Sequence, residues 1–200
     1  LDEQGLKTTG WKTIEGKKYY FQEDGLMYQK TILKLSDKLY YISKDGSLYT
    51  KAGWLKSDKT YYYVNKNQTL YNKGWLNLNG TWYYLNGNGS MATGWLNLGG
   101  TWYYLNPSGG AMQTGWYKVG KTWYYSNGSG VMQTGWLNLN GTWYYLNGSG
   151  AMQTGWLKLG STWYYLNPSN GAMRTGWYQV GKTWYYSNGS GAMQTGWLGI

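Results

Sequence analysis

Gly74-Trp75-Leu76-Asn77-Leu78-Asn79-Gly80-Thr81-Trp82-Tyr83-Tyr84 is the stretch that the rest of the chain repeats. Copies begin at Gly94, Gly115, Gly135, Gly155 and Gly176, and Gly196-Trp197 opens another. The leading tryptophans are Trp75, Trp95, Trp116, Trp136, Trp156, Trp177 and Trp197, at intervals of 20, 21, 20, 20, 21 and 20 residues. A fixed period of that length marks stacked supersecondary units. In each complete copy a second tryptophan follows seven residues later and opens a Trp-Tyr-Tyr triplet: Trp82, Trp102, Trp123, Trp143, Trp163 and Trp184.

Locally the repeat reads as a β-hairpin. Asn79-Gly80 and Asn140-Gly141 are Asn-Gly pairs, which suit a two-residue type I′ turn, while Gly120-Lys121, Gly160-Ser161 and Gly181-Lys182 place glycine first and suit type II′. A turn at Asn79-Gly80 sets Leu78 opposite Thr81, Asn77 opposite Trp82, Leu76 opposite Tyr83 and Trp75 opposite Tyr84. Because side chains alternate along a strand, one face carries Leu76, Leu78, Thr81, Tyr83 and Leu85. The other carries Trp75, Asn77, Trp82 and Tyr84. The fold expected is all-β, a repeat solenoid (superhelix) of hairpins of about 20 residues each. A lone two-stranded hairpin is marginal in water, so stability must come from stacked neighbours. The core-face residues are expected to line the inside. The Trp/Trp/Tyr face is expected to meet the adjoining hairpin along the outer seam.

Composition narrows the chemistry. Aromatic residues make up 20% of the chain, with 15 Trp, 24 Tyr and a single Phe, so the core must be built from rings. The 200 residues contain no Cys and no His, which excludes disulfides, thiol chemistry and Cys/His metal sites. No apolar run is long enough to span a bilayer. No signal peptide is visible, which reads as a mature form or a fragment. The net charge is +10, yet all eight acids lie between Asp2 and Asp58. From Gly74 onward there are five basic residues, Lys118, Lys121, Lys158, Arg174 and Lys182, and no carboxylate side chain. Aromatic platforms beside positive charge bind single-stranded nucleic acid, but these cations are too dilute for a phosphate-tracking groove, and no nucleic acid partner is expected.

Residues 1–73 read as a divergent version of the same unit. Gly10-Trp11 precedes Tyr19-Tyr20-Phe21, Ile32 precedes Leu39-Tyr40-Tyr41, and Gly53-Trp54 precedes Tyr61-Tyr62-Tyr63. The spacing of seven is kept, but Lys18 and Leu39 stand where the second tryptophan would be. The division expected is therefore 1–73, divergent repeats with few or no ligand sites, and 74–200, the repeat module proper. The connectors are short and rich in Gly, Asn and Ser, and the two longer ones add Pro107 and Pro168. A methionine sits four residues before each following tryptophan: Met91, Met112, Met132, Met152, Met173 and Met193.

The ring-rich face needs a purpose beyond packing. The repeat already has an aliphatic-aromatic core face, and rings exposed in a row usually mark a binding surface. Electron-rich rings, a methionine and no nearby acid suit a quaternary ammonium held by cation–π attraction. Such a group has no N–H to donate, and its methyl shell gains from apolar burial. The same rings could stack on sugar faces, which is the competing reading.

The pattern GW-x₆-WYY followed by LNxxGxMxTGW closely resembles the choline-binding repeat (cell-wall-binding repeat) of Gram-positive surface proteins. The resemblance is specific over 74–200 and weaker over 10–73. It implies a superhelix of hairpins with choline held between consecutive units, by two Trp of one, a Tyr of the next and a Met closing the side. Carried onto this chain, it implies cages of Trp75 and Trp82 with Tyr104, Trp95 and Trp102 with Tyr125, and Trp116 and Trp123 with Tyr145. Two more would join Trp136 and Trp143 to Tyr165, and Trp156 and Trp163 to Tyr186. The second Tyr of each triplet is selected by the face assignment above. Trp54 and Tyr61 with Tyr84 would form a weaker sixth cage. Lys18 would repel a cation, and Ile32 with Leu39 offers no rings. Trp177 and Trp184 lack a complete following hairpin, so their site would be incomplete or shared in a homodimer through the C-terminal repeat.

The implied ligand is choline or phosphocholine, with no cofactor and no metal, and the implied partners are phosphocholine-decorated teichoic and lipoteichoic acids. The implied location is outside the cell, bound non-covalently to the bacterial surface without membrane insertion. No catalysis is expected, because acid–base and nucleophilic chemistry need a poised His, Cys or carboxylate and none follows Asp58. Two alternatives stand beside this reading: an α-glucan or other polysaccharide-binding module, and an adhesin whose residues 1–73 contact a host protein.

Overall fold

The computed structural model describes residues 7–196. All regular structure among them is β-strand, arranged as nine two-stranded antiparallel hairpins. The strands are β1 Gly10–Ile14, β2 Lys17–Phe21, β3 Thr31–Leu35, β4 Lys38–Ile42, β5 Gly53–Ser57 and β6 Thr60–Val64. Then come β7 Gly74–Leu78, β8 Thr81–Leu85, β9 Gly94–Leu98, β10 Thr101–Leu105, β11 Gly115–Val119 and β12 Thr122–Ser126. The last six are β13 Gly135–Leu139, β14 Thr142–Leu146, β15 Gly155–Leu159, β16 Thr162–Leu166, β17 Gly176–Val180 and β18 Thr183–Ser187. This is the all-β hairpin solenoid that the period predicts. The chain forms two compact units, one running to Gly94 and including Leu105–Met112, the other Trp95–Tyr104 with the chain from Gln113.

The turns carry the conformations their residues demand. Asn79 and Gly80 lie at φ 51° and 85°, and Asn140 and Gly141 at 50° and 84°, so both central residues are left-handed, as type I′ requires. In the Gly120-Lys121 turn only the glycine, at φ 60°, is left-handed, as in type II′. These turns match the right-handed twist of the strands and fix the register. Trp75 pairs with Tyr84, Leu76 with Tyr83, Asn77 with Trp82 and Leu78 with Thr81.

Hairpins stack through their connectors. In the unit from Gln113, the N–H of Met132 donates to the Trp102 carbonyl, that of Met152 to Trp123, and that of Met173 to Trp143, at 2.8–2.9 Å. Each bond satisfies a strand carbonyl that would otherwise face an unpaired edge. From the second hairpin onward the last residue of the second strand, such as Leu85, Leu105, Leu146 or Leu166, is fully buried. Two hairpins solve that position differently. Tyr117 replaces the leucine of the first strand, and the smaller Ser126 replaces the buried leucine. Their hydroxyls meet at 3.0 Å, and Tyr178 and Ser187 repeat the arrangement at 2.9 Å. The larger ring offsets part of the volume lost at the serine, and the hydrogen bond satisfies a fully buried hydroxyl.

Within the second unit, successive hairpins stack front to back. The leading tryptophan of one hairpin meets the first Tyr of the next triplet: Trp95 with Tyr124 at 4.8 Å, Trp116 with Tyr144 at 5.0 Å and Trp136 with Tyr164 at 4.8 Å. Tyr124, Tyr144 and Tyr164 lie on the faces opposite to the Trp faces of their own hairpins. In these three contacts the ring that crosses the seam is the first Tyr of the triplet, where the second was expected. A repeat generated by one operation presents one face forward and the other backward at every step, a heterologous contact.

Candidate functional site

In the β11–β12 hairpin, Trp116 and Trp123 project from the same face, because Trp116 pairs with Tyr125 and Lys118 with Trp123 in one alternating set. Trp116 and Trp123 line a cavity of about 320 Å³ with Tyr144, Met152, Ser169 and Asn170. A second cavity of about 320 Å³ is lined by Trp95, Trp102, Tyr124, Met132, Gly148 and Ser149. A third, about 240 Å³, is lined by Trp136, Trp143, Tyr164, Met173 and Ser190. The composition is the same each time: two tryptophans from one hairpin, a tyrosine from the next, the methionine that follows that tyrosine, and a rim from the connector one unit further on.

The paired tryptophans stand edge to face. Trp95 and Trp102 are 6.2 Å apart at 85°, and Trp136 and Trp143 are 6.3 Å apart at 86°. They form two walls of a box. The tyrosine is a third wall and the methionine closes the side. A trimethylammonium group is nearly spherical and fits such a corner, whereas a sugar ring stacks best on one flat platform.

The tyrosines expected in the cages have another task. Tyr125 packs edge-on against Trp116 of its own hairpin at 5.2 Å, and Tyr145 packs against Trp136 at 5.2 Å. Tyr165 lies 4.9 Å from Trp156, Tyr186 5.2 Å from Trp177, and Tyr84 5.3 Å from Trp75. Tyr104 packs on Trp95 at 4.8 Å and stacks on Tyr117 at 5.2 Å. These rings brace the leading tryptophan from its own hairpin and fix its tilt. The tyrosines that line the three cavities are Tyr124, Tyr144 and Tyr164, which the sequence did not single out. The rim residues Gly148, Ser149, Ser169, Asn170 and Ser190 were missed as well. The constancy of the period carried the signal for the tyrosines, since it demands front-to-back stacking.

The remaining tryptophan pairs follow suit as far as their own unit shows. Trp156 and Trp163 are perpendicular at 6.2 Å, Tyr185 is 4.8 Å from Trp156, and Met193 donates its N–H to the Trp163 carbonyl. Trp75 and Trp82 are perpendicular at 6.4 Å, and Met112 bonds to the Trp82 carbonyl in the same way. Trp54 meets Tyr83, not Tyr84, at 4.9 Å, and Met91 bonds to the Tyr61 carbonyl. Trp177 and Trp184 are 60% and 61% exposed, against 38% for Trp163. The copy opening at Trp197 lies outside the described residues.

In the divergent stretch the corresponding space is filled. Leu39 and Leu70 are buried in one apolar cluster with Ile32 and Tyr62 packed against it, and Leu70, at the methionine position, bonds to the Leu39 carbonyl. Ahead of it, Trp11 meets Tyr40 at 5.3 Å, with Lys18 at the second Trp position and Leu48 at the methionine position, bonded to the Lys18 carbonyl.

The intact cages offer ring faces and a methionine but no carboxylate side chain. No Asp, Glu or His occurs after Asp58, and among the described residues no three His, Cys, Asp or Glu side chains cluster to hold a metal. The charged groups of the divergent stretch form exposed pairs, Lys17 with Asp45 and Lys30 with Asp58, each at 3.2 Å. Ser47, through its hydroxyl and its N–H, together with Lys17, holds the Asp45 carboxyl down at about 2.

Comparison with known proteins agrees with this geometry. The family model described as "Choline-binding repeat" matches residues 8–52, 72–114, 113–152 and 134–175, and "Putative cell wall binding repeat" matches 175–193. Among solved structures, CbpJ from Streptococcus pneumoniae is 38% identical, with 96% of this chain and 90% of that one covered and a TM-score of 0.60. Choline binding protein F from Streptococcus pneumoniae is 33% identical over 94% of this chain and 87% of its own, with a TM-score of 0.68. The choline-binding domain of CbpL from the same species is 26% identical over 96% and 100%, with a TM-score of 0.64. A search of curated protein sequences gave no match. Four model matches tiling the repeats, and a relative that aligns over nearly its whole length, place this chain in the choline-binding repeat family.

Proposed function

We propose that the chain is a non-catalytic choline-binding module that holds its protein to phosphocholine on teichoic and lipoteichoic acids at a Gram-positive surface. One observation carries the reading: three cavities of the same make, each walled by a Trp pair, a Tyr and a Met, the pair perpendicular in those of Trp95/Trp102 and Trp136/Trp143, in a stretch of chain that has no carboxylate side chain. A cation held by rings alone needs no N–H acceptor, and only a quaternary ammonium leaves none unsatisfied. The cage residues are Trp95, Trp102, Tyr124 and Met132; Trp116, Trp123, Tyr144 and Met152; and Trp136, Trp143, Tyr164 and Met173. Trp156, Trp163, Tyr185 and Met193 make a further cage, and Trp54, Tyr61, Tyr83 and Met91 a weaker one. The first two hairpins bind no choline, because aliphatic side chains or Lys18 occupy the equivalent positions. The regular perpendicular pairs argue against α-glucan.

Each cation–π contact contributes about 0.5–2 kcal/mol, which gives roughly millimolar affinity for free choline once ordering costs are deducted. Several such sites on one chain bind a polymeric wall firmly through effective concentration. The test is a titration of the full chain with choline and, separately, with maltooligosaccharide, following Trp fluorescence. Saturable quenching or enhancement by choline, with none by the sugar, is expected. Saturation by the sugar alone would overturn the proposal.

A further inference from the structure

The cages also differ at the strand residue directly opposite the second tryptophan. In three hairpins it is asparagine, and its side chain is committed to the turn. Asn77 Oδ1 accepts the Gly80 N–H at 3.0 Å, Asn97 accepts that of Gly100 at 3.1 Å, and Asn138 accepts that of Gly141 at 3.1 Å. Those hairpins carry two left-handed turn residues in succession. In the β11–β12 and β15–β16 hairpins the residue is lysine, Lys118 opposite Trp123 and Lys158 opposite Trp163. Their turns begin with Gly120 and Gly160, the single left-handed residue in each, and draw on no side-chain cap from this position. The lysine is free, and it lies over the cage tryptophan. Lys118 Nζ is 5.9 Å from the Trp123 ring centroid, and Lys158 Nζ is 5.5 Å from that of Trp163.

A fixed ammonium beside a cage for cations works against a bare cation. No carboxylate of this stretch neutralises it, since none follows Asp58. The conflict disappears if the ligand brings its own anion. In a choline phosphate ester the phosphate sits two carbons from the trimethylammonium and leaves through the mouth of the cage. A lysine on a flexible four-carbon stem is a point-charge partner for phosphate.

We propose that the array holds two kinds of cage: Lys118 and Lys158 make the Trp116/Trp123 and Trp156/Trp163 cages selective for the phosphate ester of choline, while the Asn97 and Asn138 cages read the trimethylammonium alone. This rests on the choline reading above and adds the anion to it.

Two-dimensional NMR of the full chain separates the cages by their indole N–H signals. Titration with choline and with phosphocholine should show Trp123 and Trp163 saturating at about two- to five-fold lower phosphocholine, the range of an exposed ion pair, with no such preference at Trp102 and Trp143. High salt should erase the difference. Lys118→Gln with Lys158→Gln should abolish the preference without weakening choline binding; Gln179 shows that glutamine is accepted before the same kind of turn. Lys118→Arg with Lys158→Arg should keep it. A phosphocholine-to-choline ratio at Trp123 and Trp163 that equals that of Trp102 and Trp143, or that survives the glutamine changes, overturns the proposal and leaves the choline reading standing. Absence of any indole response to either ligand overturns both.

Discussion

Met132 rests on Gly150, so that a Cβ built on the glycine would overlap the methionine sulfur. Met132 closes the Trp95/Trp102 cage, and Gly150 belongs to the connector of the hairpin beyond. Its φ of +81° is also one that L side chains rarely adopt. Met91 with Gly110, Met152 with Gly171, and Met173 with Gly191 repeat the contact. The connector glycine is therefore a seat for the methionine that shuts a cage on another hairpin.

Gly150→Ala should accordingly cost about 1–2 kcal/mol through the left-handed backbone alone and weaken choline at one cage, that of Trp102, at least a few-fold by displacing Met132. Gly189→Ala, where a Cβ would meet nothing within 4 Å, should change neither. Thermal melts and indole-resolved choline titrations of both variants check this; equal behaviour of the two would contradict the seat.

The Tyr117–Ser126 pair predicts a compensating double substitution. Tyr117→Phe leaves the fully buried Ser126 hydroxyl without its partner and should cost about 1–3 kcal/mol. Changing both residues to leucine reproduces the Leu137/Leu146 arrangement of the β13–β14 hairpin. The double variant should be more stable than the sum of the single leucine changes in a denaturant-melt cycle.

The pH dependence should be flat across the neutral range and steep in base. Burial raises the Tyr117 and Tyr178 hydroxyls above their ordinary value near 10, against the lowering effect of the Ser126 and Ser187 hydrogen bonds. A raised folded pKa contributes stability that is complete below about pH 10 and is lost as pH climbs through the higher folded value. In acid the sign reverses for Asp45, whose folded value of about 2 gives a small, exposed contribution present above pH 4 and lost towards pH 2. Choline affinity of the intact cages should not change between pH 4 and 9, because no carboxylate or imidazole lies near them. Melting temperatures and choline titrations over pH 2–11 test all three statements.

Much of this is legible in the amino-acid sequence. Asn79-Gly80 fixed the register, and with it the faces, because a two-residue turn leaves no freedom in the pairing. The Trp pairs followed from alternation, and the loss of rings at Lys18, Ile32 and Leu39 was written in the residues themselves. What alternation could not decide was which face of the next hairpin crosses the seam. That depends on how Tyr124 or Tyr144 is carried across a connector, which is tertiary information. The same holds for Met132 and Gly150, whose contact spans separate hairpins and follows no local pattern.

The central claim is that each cage takes its third ring from the first tyrosine of the following triplet. Tyr144→Leu and Tyr145→Leu, neighbours in sequence on opposite faces of one strand, separate it most directly. The measurement is the choline-induced shift of the Trp116 and Trp123 indole N–H signals in each full-length variant, with Trp163 as the internal control for folding. Tyr144→Leu should abolish the response of Trp116 and Trp123 and leave that of Trp163 intact, while Tyr145→Leu should disturb only Trp136 and Trp143. A Tyr144→Leu protein whose Trp123 still responds as in the wild type, or a Tyr145→Leu protein in which that response is gone, would contradict the account.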